Sequence, residues 1–169
     1  MELAIVDYFN PRVNLIVPNI SWGMFIHECD LLLITKHSYA YEIEIKISRA
    51  DLKKDLEKKH GHKSEKIKKL YFALPDYLLD TVDLIPKHAG ILSVNQKLKC
   101  HMVREAKINS EYKFSDAEKF QVARLGSMRI WELKKKLGQL MDKELIFIHA
   151  FRENSSYNDL DLDIKDSNK

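Results

Sequence analysis

The stretch "YEIEIKIS", residues 41–48, alternates Ile43, Ile45 and Ile47 with Glu42, Glu44 and Lys46. Successive side chains of a strand point to opposite faces, so one face is aliphatic and the other carries three charges spaced about 6–7 Å apart. Judged on this segment alone, it is an antiparallel strand with one wet face, where carboxylates and an ammonium pair for about 0–1 kcal/mol. The preceding sequence offers a second reading. "ECDLLLI", residues 28–34, places Asp30 in a nearly continuous aliphatic run, where a charge is costly unless it finds a partner. Glu28 lies on the same face, and if the two strands pair around the polar "KHS" turn, Asp30, Glu44 and Lys46 converge.

Outward from this pair, the chain reads as a mixed sheet. "ELAIVDYF" (2–9) predicts a short helix ended by "NPR", and "RVNLIVPNIS" predicts a first strand through Val13, Leu15 and Val17. These strands would open the sheet as a meander. Ser48 reads as an N-cap with Asp51 three residues on, starting a helix from about Arg49 to Lys59 that stops near Gly61. "SEKIKKL" reads as a short basic helix, "LYFALP" as a strand, "DYLLDTV" as a helix, "AGILSV" as a strand and "KLKCHMVRE" as a strand or hairpin arm. Strands that alternate with helices place the fold in the α/β class.

Beyond residue 112 the pattern becomes helical. Ser115 and Glu118 form a second capping box, and Phe120, Ala123, Leu125, Ile130, Leu133, Leu137 and Leu140 recur at helical spacing, with Gly126 as a point of division. The expected organisation is a core domain at 1–112, a helical extension at 113–150 packed on the core or mediating assembly as a homodimer, and an acidic, disordered tail at 151–169.

At 169 residues, 45% hydrophobic and 31% charged, the chain has the composition of one globular domain with an appendage. The net charge of +3 decides little, but its distribution is uneven. Eight lysines lie between Lys53 and Lys69 against three acids, while Asp159, Asp161, Asp163 and Asp166 fall near the end. Two cysteines, Cys29 and Cys100, without a CxxC pair or an N-terminal signal segment, suggest a reduced, cytoplasmic protein. No apolar run approaches the ~20 residues that span a bilayer.

Two carboxylates converging with one lysine suit a hard divalent cation, because Mg²⁺ prefers oxygen ligands and takes one or two carboxylates. Asp30 and Glu44 are the candidate ligands for Mg²⁺ or Mn²⁺, with the backbone carbonyl of Ile45 as a further one. Such an ion polarises a phosphate and acidifies a bound water, and Lys46 would orient that water or stabilise charge on the phosphorane. The reaction implied is phosphodiester hydrolysis. Glu28 and Glu42 are second-rank candidates.

An acid followed on the next strand by Glu-x-Lys resembles the PD-(D/E)xK nuclease superfamily, with Asp30, Glu44 and Lys46 in the motif positions. More narrowly, "ECDLLLI", "YEIEIKISRADLKKD", "KLYFALP" and "LIPKHAGILSV" resemble, in that order, the MmcB-like DNA-repair-associated proteins and related phage nucleases over residues 27–95. The resemblance implies a restriction-endonuclease-like core and a divalent-metal deoxyribonuclease of DNA repair, recombination or phage DNA processing. It gives Ser48, Asp51 and Asp55 roles beyond a cap and a solvated helix face; both readings stay open. The superfamily often carries an acid on its first helix, and Glu2 alone is available there.

The basic segment fits DNA as partner, because lysine–phosphate contacts supply most sequence-independent affinity. Lys53, Lys54 and Lys58 are preferred for closeness to the site, against the alternative of a solvated helix face. Trp131 reads as a helix-packing residue, with base stacking as the alternative. No four His and Cys residues have structural-zinc spacing, and His27 is expected to point away from Asp30. The rival to a nuclease is a nucleic-acid-binding or assembly protein that keeps the fold without catalysis.

Overall fold

Both faces of residues 41–46 are covered by other parts of the chain. A computed structural model describes residues 1–20, 26–56, 62 and 64–166, with side chains described through 143 apart from that of Leu56. Helix α1 (Glu2–Tyr8) precedes an antiparallel meander of β1 (Leu15–Ile20), β2 (Cys29–Ile34) and β3 (Ala40–Ile45). Helix α2 (Arg49–Leu56), β4 (Ile67–Pro75), a 3-10 segment (Asp76–Leu84), β5 (Gly90–Val94), β6 (Cys100–Arg104) and helix α3 (Asp116–Asp166) follow. The strands form one six-stranded sheet in sequence order, parallel at β3–β4 and β4–β5 and antiparallel elsewhere. Parallel neighbours need crossovers longer than a hairpin turn, and α2 and the 3-10 segment lie within them. The fold is the mixed α/β sheet flanked by helices that the sequence predicts.

The register of β2 on β3 sets the layers. Leu31 faces Ile43 and Leu32 faces Glu42 across the pair. Leu31, Leu33 and Ile43 therefore join Tyr71, Leu92 and Val94 in a layer closed by Ala4 and Ile5 of α1. On the opposite face, Leu70, Phe72, Leu74 and Ile91 pack against Leu52 of α2 and Leu78 of the 3-10 segment. Leu32, Ile34 and Ala40 pack there with Phe114 and Val122. Glu42 and Glu44 pair in register with Leu70 and Phe72, so their side chains enter this second layer. The wet-face reading of β3 is thereby replaced by a strand buried on both sides. Ile47, just past the strand, is exposed.

Local expectations fare differently according to their surroundings. Ser48 Oγ accepts the Asp51 N–H at 3.1 Å, and Ser115 and Glu118 exchange backbone bonds of 2.9 and 3.3 Å, as two capped helix starts require. "SEKIKKL", expected as a helix, is a turn running into β4. Its lysines find partners brought in by the fold. Lys68 sits 3.4 Å from the centroid of the Tyr39 ring and bonds Glu111, and Lys69 bonds Glu105. Such cross-chain contacts override local helix preference.

Helix α3 runs without a break through Gly126 and on to Asp166, past the point where the sequence suggested a tail. Extending an existing helix needs no new nucleus, and no Gly or Pro follows Gly138. The chain divides into compact units Met1–Ser127 and Met128–Lys169, so the first turns of α3 belong to the core unit rather than to an extension beginning at 113. Val122 is fully buried there, and a Cβ on Gly126 would lie 3.1 Å from Val17. In the second unit Ile130, Trp131, Leu133, Leu137 and Leu140 are exposed, so Trp131 is not the packing residue expected. Among the described residues no helix is long and apolar enough to cross a membrane.

Gly90 allows the closest approach in the sheet. A Cβ there would overlap the Tyr71 ring and lie 2.8 Å from the backbone nitrogen of Ala106. Gly90→Ala should therefore destabilise the fold by about 1–3 kcal/mol, as overpacking does, seen as a lower urea midpoint with an unchanged slope.

Candidate functional site

Carrying the β2–β3 register one residue on places Asp30 beside Glu44, and the last charge of the stretch follows just beyond the strand. Lys46 still belongs to the ladder, because its N–H donates to the Ala73 carbonyl at 3.0 Å. Its ammonium donates to Glu44 Oε2 at 2.7 Å, lies 2.9 Å from Asp55 Oδ1 and reaches within 3.9 Å of Asp30 Oδ2. Asp30 Oδ2 also accepts the Ile45 N–H at 2.7 Å, which fixes the carboxylate against β3. The three motif residues converge as the strand pairing predicted.

Burial divides them. Glu44 and Lys46 are 1% and 4% exposed, whereas the Asp30 side chain keeps 41% of its surface open. They meet at a cavity of about 430 Å³, whose lining includes Glu28, Asp30, Glu44, Ile45, Asp51 and Lys54. Glu28 is exposed at its rim and Lys54 is exposed on α2. Lys53 is exposed on the same helix, and Lys58 lies outside the described residues. Ser48 serves as the cap of α2. Glu2 stands apart: α1 packs on the Ile43 layer, across the sheet from the carboxylates, so the helix-one acid is not brought to this site.

Behind the cavity lies a polar cluster that the sequence reading did not assemble. Glu42, fully buried, bonds His27 Nε2 through both oxygens at 2.7 Å and His62 Nδ1 at 2.6 Å. His62 Nε2 bonds Asp55 Oδ2 at 2.7 Å, and Asp55 returns to Lys46. Asp55, 3% exposed, is therefore no solvated face of α2. His27 was expected to point away from Asp30, but it precedes β2, so strand alternation does not govern it. Its only sequence signal is its place beside "ECD", and that of His62 is a basic, polar context resembling a surface turn.

The charges in this cluster hold one another. Burial alone would push His62 down, but its bonds to Asp55 and Glu42 outweigh this and lift it to about 9. Burial would raise Glu42, yet the bonds from His27 and His62 bring it below the usual carboxylate range. Glu44 is shifted the other way: its burial prevails over Lys46, and its acidity falls. Burial opposes the Lys46 charge, but Glu44 and Asp55 more than offset it, so Lys46 stays an ammonium at neutral pH.

The oxygens present fit a hard cation. Glu44 Oε1 is buried and, among the described residues, has no hydrogen-bond partner, and Asp30 offers a half-open carboxylate on the same cavity. Ile45 lines that cavity too, with its N–H engaged by Asp30.

Comparisons with other proteins bear on the fold. No described protein family and no curated protein matches the sequence. A solved structure, a protein of unknown function from Silicibacter pomeroyi, is similar at 17% identity with a TM-score of 0.58, over 79% of this chain and 86% of that one. At that identity the likeness establishes a shared fold.

The shifts of His62 and Glu42 make metal-free stability depend on pH in both directions. The His62 contribution is complete below its ordinary value of 6.5 and is lost as pH rises through about 9. The Glu42 contribution is present above 4.5 and is lost as pH falls below it. Thermal melts in chelator should show a plateau between about pH 5 and 6.5 with descending limbs on either side. His62→Gln should flatten the alkaline limb.

Proposed function

We propose that this chain is a divalent-metal-dependent nuclease that hydrolyses phosphodiester bonds in DNA, a PD-(D/E)xK enzyme of the MmcB-like and phage branch. The observation that carries the reading is the convergence of Asp30, Glu44 and Lys46, from adjacent strands, on one cavity. Asp30 and Glu44, with the Ile45 carbonyl, are the groups that would hold Mg²⁺ or Mn²⁺. Such an ion supplies Lewis-acid polarisation of a phosphate and a more acidic bound water. Lys46 remains charged, so it is a poor acceptor of a proton. Its part is to orient the attacking water and to stabilise charge that accumulates on the phosphorane. Lys54 at the cavity and Lys53 beside it supply cations for the DNA backbone. DNA repair, recombination or phage DNA processing in the cytoplasm is the matching setting, and Cys29 and Cys100 are free thiols that suit a reducing compartment.

Two observations favour the second reading, a nucleic-acid-binding or assembly protein without catalysis. Lys46 is already held between Glu44 and Asp55, and Glu2 is on the far face. The two readings separate in one assay. Labelled single-stranded, double-stranded and branched DNA, with RNA alongside, are incubated with the full chain in Mg²⁺ or Mn²⁺. The nuclease reading expects cleavage that chelator abolishes and that falls by at least about 100-fold in Lys46→Gln and Asp30→Asn. Lys46→Gln is preferred to Lys46→Ala because truncation would strand two buried carboxylates. Undiminished cleavage by folded variants would sink the mechanism, and binding without cleavage would select the second reading.

The exposed apolar side chains between Met128 and Met141 support pairing with a second copy of the chain. Leu133→Lys combined with Leu137→Lys should convert the dimer to a monomer in sedimentation velocity; identical sedimentation of a dimeric wild type and this variant would remove these helices from the interface.

A further inference from the structure

Besides the acidic cavity, three segments far apart in sequence send ligand-type atoms to one point. His27 comes from ahead of β2, Glu42 from β3 and His62 from the connection between α2 and β4. His27 Nε2, a Glu42 oxygen and His62 Nδ1 all lie within 4.8 Å of one another. We propose that His27, Glu42 and His62 form a second metal site, one for a divalent transition ion of the zinc class.

The donor set argues for that class. Imidazole nitrogens suit Zn²⁺ and its neighbours in the first transition row, whereas Mg²⁺ selects oxygen and water. Two nitrogens and one carboxylate oxygen make the three-ligand set that zinc takes in sites whose fourth position is left to water. In zinc sites nitrogen and oxygen ligands stand about 3.3 Å apart, given bonds of about 2.0–2.2 Å. The present contacts of 2.6 and 2.7 Å are hydrogen bonds, so an ion replacing the shared protons requires each ring to retreat by less than about 1 Å.

Outer contacts support the same assignment. Asp55 Oδ2 accepts from His62 Nε2 at 2.7 Å, which directs Nδ1 toward Glu42. A carboxylate on the far nitrogen of a ligating histidine fixes its tautomer and raises its basicity. Lys46 holds Asp55 in turn. His62 also lines a separate cavity of about 760 Å³. Bound at the cluster, the ion would tie His62 to the sheet directly behind Glu44. The spacing of His and Cys along the sequence gives no hint of this, because each ligand comes from a different element.

The test uses the full chain, stripped of metal, and Co²⁺ as a spectroscopic probe. Expected is one Co²⁺ per chain with visible bands of low-coordinate nitrogen and oxygen ligation, displaced by equimolar Zn²⁺ and not by excess Mg²⁺. His27→Gln keeps an amide donor for Glu42, so its fold should survive, and its Co²⁺ affinity should fall by at least about 100-fold. Asp55→Asn should lower affinity by about 10–100-fold. Asp30→Asn should bind Co²⁺ as the wild type does, whatever becomes of DNA cleavage. The proposal is overturned if natively folded His27→Gln binds Co²⁺ undiminished, if the wild type binds none, or if Asp30→Asn abolishes binding.

Discussion

Removing charge from water is costly unless the charges satisfy one another, and the second layer of this fold is arranged around that constraint. Glu42, Glu44, Lys46, Asp55 and His62 are all buried, and they lie in the layer that also holds Leu70, Phe72 and Leu52. Each acid has a cation within hydrogen-bonding distance, and Lys46 and His62 each serve two acids. Deleting one partner would leave an uncompensated charge, which costs far more than the intact pair contributes. The network therefore ties the end of β3, the body of α2 and His62 into one geometry.

That geometry also leaves one edge of the cluster open. Asp30 remains half open because it lies at the edge of the network, with its position set by the Ile45 N–H. Glu44 presents one oxygen to Lys46 and leaves the other free of hydrogen bonds among the described residues. A buried cluster with one accessible carboxylate at its rim is an arrangement that would suit the hard cation proposed above. The aliphatic layer beneath, through Ile43, Leu31 and Tyr71, keeps β3 from shifting and so preserves the distances.

The elements legible in the sequence were those fixed by local rules. Alternation located β1 and β3, the aliphatic run at 28–34 located β2, and Ser48 and Ser115 located two helix starts. Where partners came from afar, local reading failed. "KIKKL" looked helical because nothing nearby showed that Tyr39, Glu105 and Glu111 would receive its lysines. Trp131 looked like a packing residue because periodicity indicates which residues share a face, not what covers that face.

The same division runs through the candidate site. The sequence by itself determined that Asp30, Glu44 and Lys46 share a face, because strand parity is a local property and the hairpin between the strands is short. Only the tertiary structure decided that this face is dry, that Asp55 joins it from α2, and that His27 and His62 close on Glu42. Those outcomes depend on how α2, His27 and His62 come against the sheet. Neither hydrophobic period nor motif spacing encodes such a return, since the energy that fixes it resides in contacts between residues distant along the chain.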